Sequence, residues 1–400
     1  HVELAPSDAT RGWFNGSAGA APLTGDFVLG YDNGIRGRLA LRPLTFAEGG
    51  QSVRFSGMDL EMAVGAQASF VRFNGRMDSL VLELLRDGEP LHLRLDGLAL
   101  QGDHHLGKSG LYSGDSRLAL ARMELKAADR PALAMSDLVQ TDRFTEHGER
   151  MNGVFAYDIG QFSYGGKPLG SASLQLSLGD LDVAALKSLG EWYKGFLQRL
   201  QTQPDGDTGM SAEERARLQE GIDTLLEGRP RVALDKLALK TAHGESRFNL
   251  RIDLARPASY ELPAPELARQ LVGKLDAQLV LAKPTIRDLV MYKAVLDPAA
   301  ASPALAEEAM QTAEMAGTLA STRQLARLEG DNIVSSLGYA DGQITFNGQP
   351  IPAEQFADLL QGAGLVAVPA GGGEEGYLGD GAEEGAAGEE PDAEGEAVQP

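Results

Sequence analysis

The chain has 400 residues, of which 43% are hydrophobic, 23% charged and 6% aromatic, with 49 glycines and no cysteine. That length suits one large domain or two to three ordinary ones, and the missing cysteine excludes disulfides, thiol catalysis and thiolate metal sites. The net charge of −21 is lopsided: from Leu328 to the end there are 15 acids and no Lys or Arg, which leaves 42 acids against 36 bases in residues 1–327. A body so near neutrality argues against nucleic-acid binding.

No run of 18 or more apolar residues is present, so no segment reads as a membrane-spanning helix, and no signal peptide is recognisable. The chain starts at His1 rather than Met. Two readings are open: a trimmed chain whose upstream part, including a membrane anchor, lies outside this sequence, or an extraneous residue at position 1.

Period-two apolar spacing then dominates the first half. Phe27, Leu29 and Tyr31 alternate, as do Met58, Leu60, Met62 and Val64, then Leu80, Leu82 and Leu84, and Leu91, Leu93 and Leu95 followed by Leu98 and Leu100. Leu118 and Leu120, Phe155, Tyr157 and Ile159, and Leu174, Leu176 and Leu178 continue the pattern. Such spacing puts apolar side chains on one face of a strand, and one-sided strands belong to antiparallel sheets. Asp32-Asn33-Gly34, Asp87-Gly88 and Gly165-Gly166 supply turns. A short echo, Val53-Arg54-Phe55-Ser56-Gly57, returns as Val71-Arg72-Phe73-Asn74-Gly75, as Leu93-Arg94-Leu95-Asp96-Gly97 and as Ile344-Thr345-Phe346-Asn347-Gly348. Each copy is expected to be a strand that ends in a turn or bulge.

A helical interruption follows. Leu181, Ala185, Leu189, Trp192, Phe196 and Leu200 recur at helical spacing, with Asp180 or Asp182 near the start. After the loop at 203–206, Ser211 and Glu214 form a capping-box pattern that opens a helix ending at Gly228. Strands resume at 232–239, with a phase shift between Leu234 and Leu237, and at 248–254 and 275–281. Helices are expected at 265–272, at 285–296 after Pro284 and at 304–327, the last as the longest. Ile333–Tyr339 and Gln343–Phe346 flank the hairpin signal Ala340-Asp341-Gly342, and 352–360 reads as a short closing helix. From Gly362 on, Gly, Ala, Glu and Pro prevail; such a segment cannot bury enough surface to order itself, and it reads as a disordered, solvating acidic tail.

Little chemistry is announced. Asp103-His104-His105 is the one histidine cluster; neighbours on a strand point to opposite faces and chelate one ion poorly, and a turn is the plainer reading. No metal-ligand spacing, nucleophile elbow or phosphate-binding loop is present, and the strand–helix order of a dinucleotide fold is missing. Asp180 and Asp182 read as capping residues rather than an acid–base pair.

Residues 328–349, LEGDNIVSSLGYADGQITFNGQ, resemble the C-terminal signature of the YdgA-like family, a bacterial domain of unknown function. The segment Leu176-Ser177-Leu178-Gly179-Asp180-Leu181-Asp182, the Leu41-Arg42-Pro43-Leu44 strand and the region Gly148–Gly153 are similar to it as well, so the resemblance covers most of residues 25–360. It implies a Gram-negative envelope protein with a periplasmic body and one N-terminal membrane helix that this chain lacks. No catalytic residue is carried over.

The fold expected is β-rich α+β: an elongated, curved antiparallel meander with packed helices and a disordered tail. Its regions are a β region over 1–180, a helical insertion over 181–228, a second β/helix region over 229–361 and the tail over 362–400. The function expected is that of a non-enzymatic periplasmic protein holding a lipid or acyl chain in a sheet groove lined by Phe55, Met62, Phe73, Leu82 and Leu93. Helices 181–200 and 304–327 filling that groove as ordinary core is the competing picture. The rival functions are a structural or interaction protein of the envelope without a small ligand, and a hydrolase without a recognisable motif. Neither a metal nor a cofactor is expected; the partner is a lipid or an envelope protein, not a nucleic acid.

Overall fold

The computed structural model describes residues 1–86, 88–202 and 210–352, and His1–Ala353 form one unit. The 203–206 loop, the closing helix beyond Pro352 and the acidic tail fall outside the described residues.

Among the described residues, nineteen strands join one open antiparallel sheet. The first six are β1 (Val2–Glu3), β2 (Leu23–Leu29), β3 (Ile35–Leu41), β4 (Leu44–Glu48), β5 (Gln51–Phe55) and β6 (Met58–Val64). Six long strands follow: β7 (Phe70–Arg86), β8 (Glu89–Leu106), β9 (Tyr112–Ala127), β10 (Leu133–His147), β11 (Arg150–Tyr164) and β12 (Lys167–Asp182). The remainder are β13 (Arg231–Lys240), β14 (Glu245–Leu254), β15 (Val272–Ala282), β16 (Arg327–Glu329), β17 (Asn332–Ala340), β18 (Gln343–Phe346) and β19 (Gln349–Ile351). From β6 to β15 each strand pairs with the next in sequence. Tight hairpin loops join the long strands, and helices are spliced between neighbours further on. A helical pair, α2 (Val183–Thr202) and α3 (Ala212–Glu227), links β12 to β13; α4 (Ala264–Leu271) links β14 to β15; α5 (Lys283–Met291), α6 (Lys293–Leu296) and α7 (Leu305–Thr322) lead from β15 towards β17. The first helix, α1 (Arg11–Gly16), lies against β4.

The long strands are where the sheet departs from the expected string of short ones. Leu80–Leu84 and Val71–Gly75 belong to one strand, as do Leu91–Leu95 and Leu98–Leu100. The apolar positions change parity inside each: Met77 to Leu80, Leu98 to Leu95, Leu120 to Met123, Leu138 to Met135, Ile159 to Phe162. The step occurs in all five strands on one line across the sheet, through Gly57, Asp78, Gly97, Ala121, Asp137 and Gly160, where the Cα pairing lapses while the register on either side is kept from β6 to β10. Gly97 (φ 67) and Asp137 (φ 53) are left-handed there, a conformation that interrupts a strand without ending it. A Cβ on Gly97 would stand 2.8 Å from that of Ala121, and one on Gly160 2.8 Å from that of Asp137, so glycine is required where the backbones close in.

Of the four copies of the echo, Gly57 (φ 94) and Gly348 (φ 81) follow strand ends and Gly97 marks the bulge, as expected. Gly75 instead lies within β7, because the side chains of Met58, Leu60 and Leu100 converge on the space above it, within 3.1 Å of where a Cβ would be. Residues 103–105 are likewise inside β8, not a turn. The Leu234/Leu237 phase shift is a bulge against β14, and Asp341 (φ 51) with Gly342 (φ 78) turns the last hairpin.

Helix boundaries differ in detail. Leu181 remains in β12, and α2 starts at Val183, capped by Asp182, whose Oδ1 accepts from the N–H groups of Ala184 (2.9 Å) and Ala185 (3.0 Å). The Ser211–Glu214 capping box is formed in both directions. The 304–327 helix spans only Leu305–Thr322, and the 20-residue α2 exceeds it. The longer helices pack on each other, α2 on α3 and α5 on α7, and meet the sheet at the strands they connect. The small residues Ala309, Ala313 and Gly317 form the buried stripe of α7.

One buried carboxylate fastens the α5 end of the sheet. Asp288 accepts from the His243 backbone N–H (2.9 Å) and bonds its Nδ1 (2.8 Å), its side chain 7% exposed. Burial pushes its pKa up, but hydrogen bonds from Thr241 and His243 outweigh that and leave it below the ordinary value. A depressed carboxylate stabilises the fold above its unfolded pKa and ceases to as pH falls through the folded one. Asp288→Ala, which strands the His243 N–H, is expected to cost about 2 kcal/mol at neutral pH. Urea unfolding at pH 7 and pH 3 checks this: the difference between wild type and variant shrinks at the lower pH.

Candidate functional site

In an antiparallel sheet, directly paired residues share a face, so registers can be followed from strand to strand. On the β12/α2 side of the interruption, one such row reads Phe27, Gly37, Met62, Phe73, Gly102, Ser116, Asp142, Phe155, Leu176, Leu234, Leu250, Ala277, Leu337, Phe346. The next holds Leu60, Leu100, Leu118, Gln140, Tyr157, Leu174, Leu237, Phe248 and Leu279. A third runs from Met58 and Met77 through Leu98, Leu120, Leu138 and Ile159 to Leu239. Together they form a continuous apolar face. No helix makes an extended contact with β6–β11 or with β13 among the described residues. Leu118 (39%), Tyr157 (42%) and Leu237 (42%) remain exposed, although Met77 (6%) and Leu120 (9%) of the third row are covered by their neighbours, and Ala233 (1%) and Ala238 (4%), on the opposite face of β13, are buried. Fully covering a leucine would contribute about 1.5–3 kcal/mol, and these forgo part of it.

The five residues expected to line a groove fall into two groups. Met62 pairs with Phe73 in the first row. Leu82 pairs with Leu93, and Phe55 with Leu80, beyond the interruption, in a second apolar tract that includes Val53, Leu95, Leu125 and Met135. Leu82 lies nine positions along β7 from Phe73, about 30 Å at strand rise. The structure thus sorts the five side chains into a pair, Met62 with Phe73, and a group of three, Phe55 with Leu82 and Leu93, in separate tracts.

The opposite face of β6–β12 is polar, and its charges are matched across strands. Arg72 donates from Nε to Asp103 Oδ1 (2.9 Å) and Arg143 to Asp115 (2.5 Å), while Asp103 and Asp115 pair side by side. The Arg72 hydrogen bond, helped by His105, holds the Asp103 carboxyl below its usual range. Past the interruption Glu83, taking hydrogen bonds from Ser52 (2.7 Å) and Arg54 (2.9 Å), is lowered too. This face carries a cavity of about 780 Å³, lined by Arg72, Asn74, Gln101, Asp103, Asp115, Arg117, Thr141, Arg143 and Gln175 among others. Among the described residues nothing there groups three metal-ligating side chains.

The histidine pair separates by face. His105 meets Asp103 (3.1 Å) on the polar side. His104, on the apolar side, bonds Ser116 Oγ through Nε2 (2.9 Å) and stacks on Phe73 with ring centroids 6.2 Å apart. Ser116 and His104 have the spacing of a nucleophile and base, but among the described residues no side chain orients the other imidazole nitrogen. Across from Ser116, Asp142 accepts from Gln140 Nε2 (3.0 and 3.2 Å) and is flanked by Phe155, which meets Phe144 edge-on at 5.4 Å. Sequence reasoning missed this polar notch. Its one signal was a polar position, Asp142, two residues from Phe144 in a strand without clear alternation.

An apolar face open to solvent has a direct optical consequence. A polarity-sensitive dye is expected to bind the native protein, with its fluorescence changing at the cooperative unfolding midpoint. The double substitution L118K/L237K is expected to reduce native-state binding severalfold without lowering that midpoint by more than a few degrees.

The chain matches, over residues 1–354, the family described as "Bacterial protein of unknown function (DUF945)". It is 23% identical over 378 residues to "Protein YdgA" of Escherichia coli (strain K12), an alignment covering 92% of this chain and 75% of that protein. The stretch matched reaches from the first strand to the end of the last hairpin, the same span that builds the sheet, and the chain belongs to the DUF945 family.

Proposed function

We propose that this protein is a non-enzymatic envelope protein of the periplasm that carries a hydrophobic ligand, an acyl chain, along the apolar rows of its sheet. In this reading the sheet is elongated and curved, and the full-length protein is tethered to the inner membrane upstream of His1. The observation that carries the proposal is the absence of a covering helix over β6–β11 and β13 among the described residues: three rows of Leu, Met and Phe cross successive strands, and Leu118, Tyr157 and Leu237 stay about two-fifths exposed. Soluble proteins seldom leave so long an apolar strip uncovered unless something binds it. Each methylene of a chain laid on it would contribute about 0.8 kcal/mol when fully buried. The contiguous charged face opposite keeps that side hydrated. The groove lining is then the Met62–Phe73 tract with its continuation through Leu118 and Leu237.

A second reading, an interaction protein of the envelope without a small ligand, draws on the same exposed side chains, since a partner's apolar surface covers them as well. Native mass spectrometry of gently purified protein decides between them. The proposal predicts a retained lipid mass that L118K/L237K loses; a ligand-free mass together with a stoichiometric protein partner supports the second reading and overturns the first.

A further inference from the structure

The apolar rows contain one carboxylate. Asp142 lies in the middle of the face, with Phe155 and Ser116 paired beside it and Phe144 two residues on. Its oxygens accept from Gln140 Nε2 at 3.0 and 3.2 Å, and no cation pairs with it among the described residues. Nearly every other charged side chain of these strands is on the opposite face, where arginines and carboxylates pair across strands, as Arg72 does with Asp103 and Arg143 with Asp115. A carboxylate on an apolar surface loses hydration when that surface is covered, which costs several kcal/mol unless a cation or strong donors arrive with the cover. A purely hydrocarbon ligand laid over Asp142 would therefore be disfavoured by the position it has to occupy.

We infer that the ligand is an amphiphile whose head group carries an ammonium, with the ammonium seated on Asp142 and the acyl chain running from Phe155 towards Phe346. This inference rests on the acyl-chain reading above and adds the chemistry of the head group. The geometry provides for both ends. From Asp142 to Phe346 the row crosses seven strand spacings, about 34 Å at ~4.8 Å each, all of it Phe, Leu and Ala. At the head, the carboxylate is held in place by Gln140, and the aromatic rings of Phe155 and Phe144 stand beside it, surfaces that favour a cation over an anion. Beyond Asp142, Ser116 Oγ with its partner His104 offers further hydrogen bonding to the polar part of the head group. Anionic amphiphiles would set like charge against Asp142.

The test is a competition read by native mass spectrometry. The protein is incubated in mild detergent with equimolar phosphatidylethanolamine and phosphatidylglycerol of identical acyl chains. The proposal predicts a preference of about fivefold for phosphatidylethanolamine, the size of one partly exposed charge pair. Asp142→Asn, nearly isosteric at a half-buried position, is expected to bind both lipids equally and to melt with the wild type. Equal binding by the wild-type protein, which needs no variant to fold, overturns the head-group assignment and leaves the acyl-chain reading in place. Binding of neither lipid by the wild type overturns both.

Discussion

The structure depends on one constraint: an apolar side chain on this sheet finds its partners sideways, in the neighbouring strands, rather than in a second layer stacked on top. Directly opposed side chains contribute about 0.2–1 kcal/mol per pair, modest singly but repeated along three rows from β6 to β13, two of which go on to β15. The buried hydrophobic residues follow from this. Many are alanines, such as Ala185, Ala233, Ala238, Ala282, Ala309 and Ala313, and the largest fully buried side chains are Thr285, Pro22 and Pro230. Some large side chains are buried as well, Met77 (6%) and Leu120 (9%) of the third row among them, while others on the same face, such as Leu118 and Tyr157, stay about two-fifths exposed.

The same constraint explains why the interruption runs straight through the sheet. If a single strand changed parity, its apolar side chains would oppose the polar ones of its neighbours, and a slip of one residue has the same effect. Every strand from β7 to β11 therefore takes the step at the same line, and the register on the two sides of it agrees from β6 to β10. Gly97 and Asp137 adopt the left-handed conformation there, and Gly160 yields room to Asp137. The helices obey the constraint from outside: spliced between adjacent strands, they bury their stripes against one another, as α5 and α7 do, and leave the face alone.

What could be read from the sequence is what local spacing encodes. Alternation at Met58–Val64 or Leu174–Leu178 marks strands because period two is a property of one segment, and Ser211 with Glu214 marks a helix start because the capping box closes within four residues. Strand length was less legible. The Leu95-to-Leu98 step looks like an end until the matching step in β9 shows it to be a shared bulge, and Gly75 looks like Gly57 until Leu60 and Leu100 are seen above it. Asp103-His104-His105 reads as a turn for the same reason, since its polar run hides a strand with one histidine on each face. The face itself was the least legible feature. Phe73 and Leu82 carry the same alternation, and only the pairing partners assign them to tracts about 30 Å apart. Asp142 becomes notable once Phe155, Leu176 and Leu234 are known to continue its row.

On the proposed reading, function is the completion of an apolar face that has no covering layer among the described residues: the polar face carries its own ion pairs, and the apolar face would be satisfied by a bound ligand. Because the chain has no cysteine, single cysteines placed at positions 118, 157 and 237 report that face without background. The most direct measurement is the rate of their alkylation in delipidated, folded protein. An uncovered face predicts labelling at rates close to those of an unfolded control, slowed when lipid is restored. Protection of all three sites in the lipid-free monomer would mean that a layer of the protein itself covers the face, and would contradict the proposed reading.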